Sequence, residues 1–89
     1  MKQDNLNKVL KIIRLVLPDS DVTEKNTDDN LLNMGLDSVM LIRMIVLLEE
    51  AFDLELPDEY LYLDQMNTVR RIVSALEIAS GENAGTESF

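Results

Sequence analysis

The 89-residue chain contains no cysteine and no histidine, so it lacks thiolate nucleophiles, imidazole bases, disulfides and the usual zinc or copper ligand sets. Most protein-only catalysis goes with them. Carboxylate pairs stand at Glu49-Glu50 and Asp58-Glu59, but neighbours on a helix point about 100° apart and do not face each other across a cleft. They read as solvated surface. The acidic stretch from Asp19 is not a calcium loop, because that motif needs glycine at its sixth position and glutamate at its twelfth, where Glu24 and Asn30 stand. There is no phosphate-cradling glycine loop and no G-x-S-x-G elbow. What remains is Gly35-Leu36-Asp37-Ser38-Val39, a serine on a glycine-containing turn at the mouth of a long apolar run. The plainer role for a serine in front of a helix is an N-cap.

The elements that must position this serine are helical. Leu6, Val9, Leu10, Ile13, Val16 and Leu17 recur at steps of three and four, which predicts a first helix from about Asp4 to Leu17, stopped by Pro18. Residues 18–30 hold Val22 as their one large hydrophobe among Asp, Asn, Ser and Thr, and read as a long acidic loop. Leu31, Leu32, Met34 and Leu36 around Gly35 should tuck that loop onto the core through one helical turn. A second helix is expected from Asp37-Ser38 to Phe52, with Leu41, Ile45, Leu48 and Phe52 on the inward line and Arg43 and Glu50 opposite. Val39, Met40, Val46 and Leu47 flank that outer side. On so small a domain it forms an exposed apolar strip of the kind that receives partners. Pro57 should open a short third helix of one or two turns, with Asp58 and Glu59 at its positive end and Tyr60, Leu61 and Leu63 as contacts. The last helix should start after Asn67 as cap and end before Gly81, carrying Val69, Ile72, Val73, Leu76 and Ala79 on one face. The expected fold is all-α, a small four-helix bundle with a long first loop, occupying residues 1–80, with a flexible tail over 81–89.

Size and charge narrow the function classes further. One compact core is all that fits, and a domain this small has little room for a nucleotide-sized cleft. The net charge is −9, concentrated between Asp19 and Asp64, where thirteen acids face Lys25 and Arg43. Phosphate backbones and anionic lipid repel such a surface, so neither nucleic acid nor membrane is expected as a partner. No apolar run reaches the roughly 18 residues of a membrane span, and no secretory signal pattern opens the chain, so the expected compartment is the cytoplasm.

G-L-D-S-V followed by L-x-x-x-I-x-x-L-E-E-x-F-x-L-E-L-P-D-E resembles the acyl carrier protein family, and the likeness extends from Asn30 through Leu76. The resemblance implies a carrier without catalytic residues or a resident metal. A phosphopantetheinyl transferase would use coenzyme A and magnesium to attach 4′-phosphopantetheine to the motif serine, here Ser38. The thiol of that arm would hold cargo as a thioester, a group this cysteine-free chain cannot supply itself. Asp37 matches the family aspartate that helps hold the metal in the transferase complex, and equally suits the dipole end of a helix. Leu36 and Val39 match residues that contact the arm and the partner enzymes, with core filling as their alternative. Met34, Met40, Met44 and Met66 read as packing, their unbranched side chains able to yield to a variable neighbour.

Departures from the family pattern guide the pathway. Carriers of primary fatty acid synthesis commonly place acids two and five residues after the serine, where this chain has Met40 and Arg43. The G-G-x-S form frequent in peptidyl carriers is also absent. The expectation is therefore a discrete, monomeric carrier of a specialised biosynthetic pathway, loaded with an acyl, aryl or aminoacyl unit by a dedicated ligase and passed to downstream synthase enzymes. Met40, Arg43, Val46, Leu47 and Glu50 are the expected docking residues. The alternatives are an unmodified acidic helical adaptor, a fatty acid synthesis carrier, and a domain cut from a larger synthase.

Overall fold

A computed structural model describes residues 3–80, with side-chain burial from Asn5 onward; the tail expected over 81–89 lies outside the described residues. Three α-helices form the body: α1 (Gln3–Val16), α2 (Ser38–Phe52) and α3 (Val69–Ser80). Both α2 and α3 pack against α1. Val9, Ile12, Ile13 and Val16 of α1 meet Leu41, Met44, Ile45 and Leu48 of α2 and Val69, Ile72, Ala75 and Leu76 of α3 in one continuous core. Each Val, Leu, Ile or Met side chain among these, when fully buried, contributes on the order of 1.5–3 kcal/mol. The inward face of α2 is rotated slightly from the sequence expectation. Met44 is fully buried, whereas Phe52 stays half-exposed with the Lys8 ammonium 5.5 Å from its ring centre.

Among the described residues the short third helix expected after Pro57 is reduced to 3₁₀ turns. Between α2 and α3 the chain makes two separate 3₁₀ turns, Asp58–Tyr60 and Leu63–Gln65, with no buried residue in either. The anchors are Leu56 and Met66 at the two ends. Between them Tyr60 and Leu63 pack against the core only partly buried, too little apolar contact to extend either turn into a longer helix. Glu49 belongs to this region too: its carboxylate accepts the Leu56 N–H at 2.8 Å, so it is a half-buried brace instead of the solvated acid its sequence context predicts.

The long loop is more ordered than its composition suggests. Val22 is fully buried, and its carbonyl accepts the Arg14 Nε–H at 2.9 Å. Thr23 and Asn26 cap a 3₁₀ turn over Glu24–Asn26 reciprocally. Further on, the loop is tied to the start of α3: Leu31 N–H donates to the Asn67 carbonyl at 2.7 Å and Arg70 N–H to the Thr27 carbonyl at 2.9 Å. Thr68, not Asn67, caps α3, its hydroxyl accepting the Arg71 N–H at 3.1 Å.

Arg70 also grips Asp28 through its side chain, with Nε 2.6 Å from Oδ1 and Nη2 3.2 Å from Oδ2. The hydrogen bond from Arg70, reinforced by its charge, holds the Asp28 carboxyl below its ordinary pKa. A depressed folded-state pKa means that the pair stabilises the fold above the ordinary carboxylate range and ceases to do so as pH falls through the lowered value. Both partners are exposed, so the effect is small. Urea midpoints of the wild type and Arg70→Gln should therefore differ slightly at neutral pH and converge in acid; an equal gap in acid would assign the loss to something other than this pair.

Candidate functional site

Ser38 is positioned by the turn before it. Leu31–Met34 forms a 3₁₀ turn capped by Asn30, whose side chain accepts the Leu32 N–H at 2.9 Å. Gly35 then closes it in the left-handed region at φ 105, where a side chain is strained. Leu36 follows as a core residue, 4% exposed. This buried leucine, its N–H bonded to the Leu31 carbonyl, sets the level at which the chain enters α2.

Asp37 is the N-cap of α2. Its carboxylate Oδ1 accepts the Met40 N–H at 2.9 Å and its carbonyl accepts the Leu41 N–H at 2.8 Å. Ser38 is consequently the first helical residue and not the cap, a correction to the plainer reading of the sequence. Its side chain is exposed, with no hydrogen-bond partner among the described residues. The N–H groups of Ser38 and Val39 lie in the first turn, where no intrahelical acceptor exists. An exposed, unengaged hydroxyl therefore sits beside two free donors at the positive end of a 15-residue helix. That is a fit for a phosphodiester.

The surroundings of Ser38 are apolar on one side. Ser38, Leu41 and Ile42 of α2 face Leu61, Tyr62, Leu63 and Asp64 across a groove of about 410 Å³. Arg71 of α3 donates to the Asp64 carbonyl and ties the far wall to the bundle. Ile42, Leu61 and Tyr62 were not among the sequence candidates. Ile42 is four residues from Ser38 and so shares its side of the helix, a signal the sequence does contain. Nothing local in the sequence indicates that Leu61 and Tyr62 come to this end of α2.

The outer side of α2 carries the expected docking residues. Val39 and Val46 are 64% and 47% exposed, joined by Ile42 at 62%. Arg43 and Glu50 are exposed on the same side, and Met40 and Leu47 are half-buried at its edge. Leu36 is separated from this group by its burial and serves the core. Of the other methionines, Met44 and Met66 are fully buried packing residues. Among the described residues no group of acids has the arrangement of a metal site, and no helix is long and apolar enough to cross a membrane.

A protein-family profile described as the phosphopantetheine attachment site matches residues 7–76. The chain therefore belongs to that family, whose domains carry a covalent 4′-phosphopantetheine and are generally not catalysts themselves. No solved structure matches the chain.

The capping assignment separates two substitutions that the sequence alone would treat alike. Asp37→Ala should cost about 1 kcal/mol of stability, whereas Ser38→Ala, at an exposed position that bonds nothing, should stay within about 0.5 kcal/mol of the wild type. Chemical denaturation of both variants checks this; equal losses would return the cap to Ser38.

Proposed function

We propose that Ser38 is the attachment residue and that the protein is a carrier holding an acyl, aryl or aminoacyl intermediate for the enzymes of a specialised biosynthetic pathway. The observation that carries this reading is the Ser38 hydroxyl, exposed and unengaged at the first position of α2. In the loading reaction Ser38 Oγ attacks the phosphorus of coenzyme A that bears the pantetheine. The Oγ–P bond forms as the bond to adenosine 3′,5′-bisphosphate breaks, and the hydroxyl proton passes to a base of the phosphopantetheinyl transferase. Asp37 keeps one carboxylate oxygen on the Met40 N–H, and its other oxygen would be open to the transferase's magnesium. Once attached, the group supplies the thiol that this cysteine-free chain lacks. The first-turn N–H groups and the dipole of α2 would hold the phosphodiester on Ser38.

Docking follows from the outer side of α2. Val39 and Val46, with Met40 and Leu47 at the edge, offer apolar contact, and Arg43 and Glu50 add one charge of each sign. Arg43 stands where fatty acid synthesis carriers commonly present an acid, so the loading ligase and downstream synthases that fit this surface place an apolar patch there with an acid opposite Arg43. The overall acidity of residues 19–64 makes these contacts salt-sensitive.

Incubation with coenzyme A and a broad-specificity phosphopantetheinyl transferase should add the mass of one phosphopantetheine to the wild type and none to Ser38→Ala. An unmodified wild type would favour a docking adaptor, and a modified Ser38→Ala would move the attachment elsewhere. For docking, Arg43→Glu should slow loading by the native ligase about tenfold or more while leaving the unfolding free energy within about 0.5 kcal/mol of the wild type. Unchanged loading kinetics would remove this side of α2 as the recognition surface.

A further inference from the structure

The turn that presents Ser38 is held from a distant part of the chain. Val22 and Leu31 are fully buried, and between them the loop bonds within itself, Thr23 with Asn26 and Asn26 with Asp29. This stretch is tied to the first turn of α3. The Arg70 N–H donates to the Thr27 carbonyl at 2.9 Å. The Arg70 guanidinium reaches Asp28 through Nε at 2.6 Å and Nη2 at 3.2 Å, with Thr27 Oγ1 3.5 Å from Nη2. Just beyond, the Leu31 N–H donates to the Asn67 carbonyl at 2.7 Å. We propose that Arg70 is a positioning residue for the modification of Ser38: its grip on Thr27 and Asp28 sets the direction of the turn Leu31–Met34, and through that turn the place of the Ser38 hydroxyl. The inference rests on Ser38 as the attachment residue.

The path from the grip to the hydroxyl is short and bonded. Asn30 accepts the Leu32 N–H, the Leu36 N–H donates to the Leu31 carbonyl, and Asp37 caps α2. Leu31 fixes the depth of the turn by its burial, but one buried side chain does not fix a direction. The bonds just before it do. A guanidinium on both oxygens of a carboxylate fixes orientation as well as energy, because two parallel bonds resist rotation. Both partners are exposed, so the pair adds little to global stability. Stability is not uniform across a fold, however, and a loosened loop is felt first by what the loop holds. Here that is the attachment serine. Placement errors weigh heavily on group transfer, since a shift of about 1 Å caused far from the chemistry can cost on the order of 100-fold in rate. The side-chain partners of Arg70 are Thr27 and Asp28, not residues on the outer side of α2. Positioning and docking are therefore separable.

The test follows transfer from coenzyme A by a broad-specificity phosphopantetheinyl transferase, with the protein as the varied substrate and every variant folded at the assay temperature. Arg70→Gln should lower kcat about five- to tenfold while KM for the protein stays within about twofold of the wild type. Asp28→Asn should match it, and the double variant should be no slower than either, because both remove one pair. Arg70→Lys, which keeps the charge without the fork, should fall between. Lys11→Gly, a destabilising glycine at an exposed position in the middle of α1, should react at the wild-type rate. Amide exchange reads the positioning without the reaction: in Arg70→Gln the N–H groups of Leu31, Gly35 and Leu36 should exchange faster, and those of Leu48 and Leu76 should change far less. A loss confined to KM would make Arg70 a docking contact and overturn the proposal. An equal loss of kcat in Lys11→Gly would assign the effect to stability and overturn it too. A wild type that takes up no phosphopantetheine would overturn the attachment reading, and this inference with it. A modified wild type with the same kcat in Arg70→Gln would overturn the positioning role alone.

Discussion

The structure depends most on which residue closes the start of α2. A helix begins with N–H groups that need acceptors, and here the carboxylate of Asp37 takes the Met40 N–H. Had the serine done this, its oxygen would be occupied and its side chain turned back onto the backbone. Because the aspartate does it, the neighbouring hydroxyl is left outward and unengaged at the point where the helix field favours negative charge. Cap and proposed attachment residue are adjacent, and the order Asp-Ser is what separates their tasks. The level of this junction is fixed from behind by Gly35, by the burial of Leu36, and by the Leu31–Asn67 hydrogen bond that ties the preceding turn to the start of α3.

The two sides of α2 divide the remaining work. Its inner side, Leu41, Met44, Ile45 and Leu48, is committed to the core. Its outer side is left with more apolar surface than so small a body needs for stability, and this surface runs from the groove at Ser38 along Val39, Ile42 and Val46. A carrier must be recognised by several enzymes in turn and let go by each. Shallow apolar contacts with a few exposed charges serve that better than a deep, tight interface, since exposed charges set encounter and selectivity more than they set affinity.

Much of this was legible in the sequence, and the limits have physical causes. The three long helices are plain from three-and-four spacing of apolar residues, as is the start of α2 from Asp37-Ser38 before an unbroken apolar run. The family was visible because its motif is local. Long-range pairing was not visible: nothing near Asp28 announces Arg70, and nothing near Leu61 announces that it lies opposite Ile42. The short extent of the third helix was not visible for a related reason. Pro57 with two acids is a good helix opening and does precede the turn Asp58–Tyr60, but the fully buried anchors, Leu56 and Met66, lie outside that turn, and tertiary anchoring kept it short. The choice between Asp37 and Ser38 as cap, one residue apart and both favoured, lay below what local preference can resolve.

The central claim is that one serine, freed by its neighbour's capping role, bears the prosthetic group. The most direct measurement is a proton–phosphorus correlation spectrum of the protein after treatment with coenzyme A and transferase. This account predicts a single phosphodiester phosphorus coupled to the β-protons of Ser38. A phosphorus coupled instead to Ser20, Ser74 or Ser80, or to more than one residue, would contradict it.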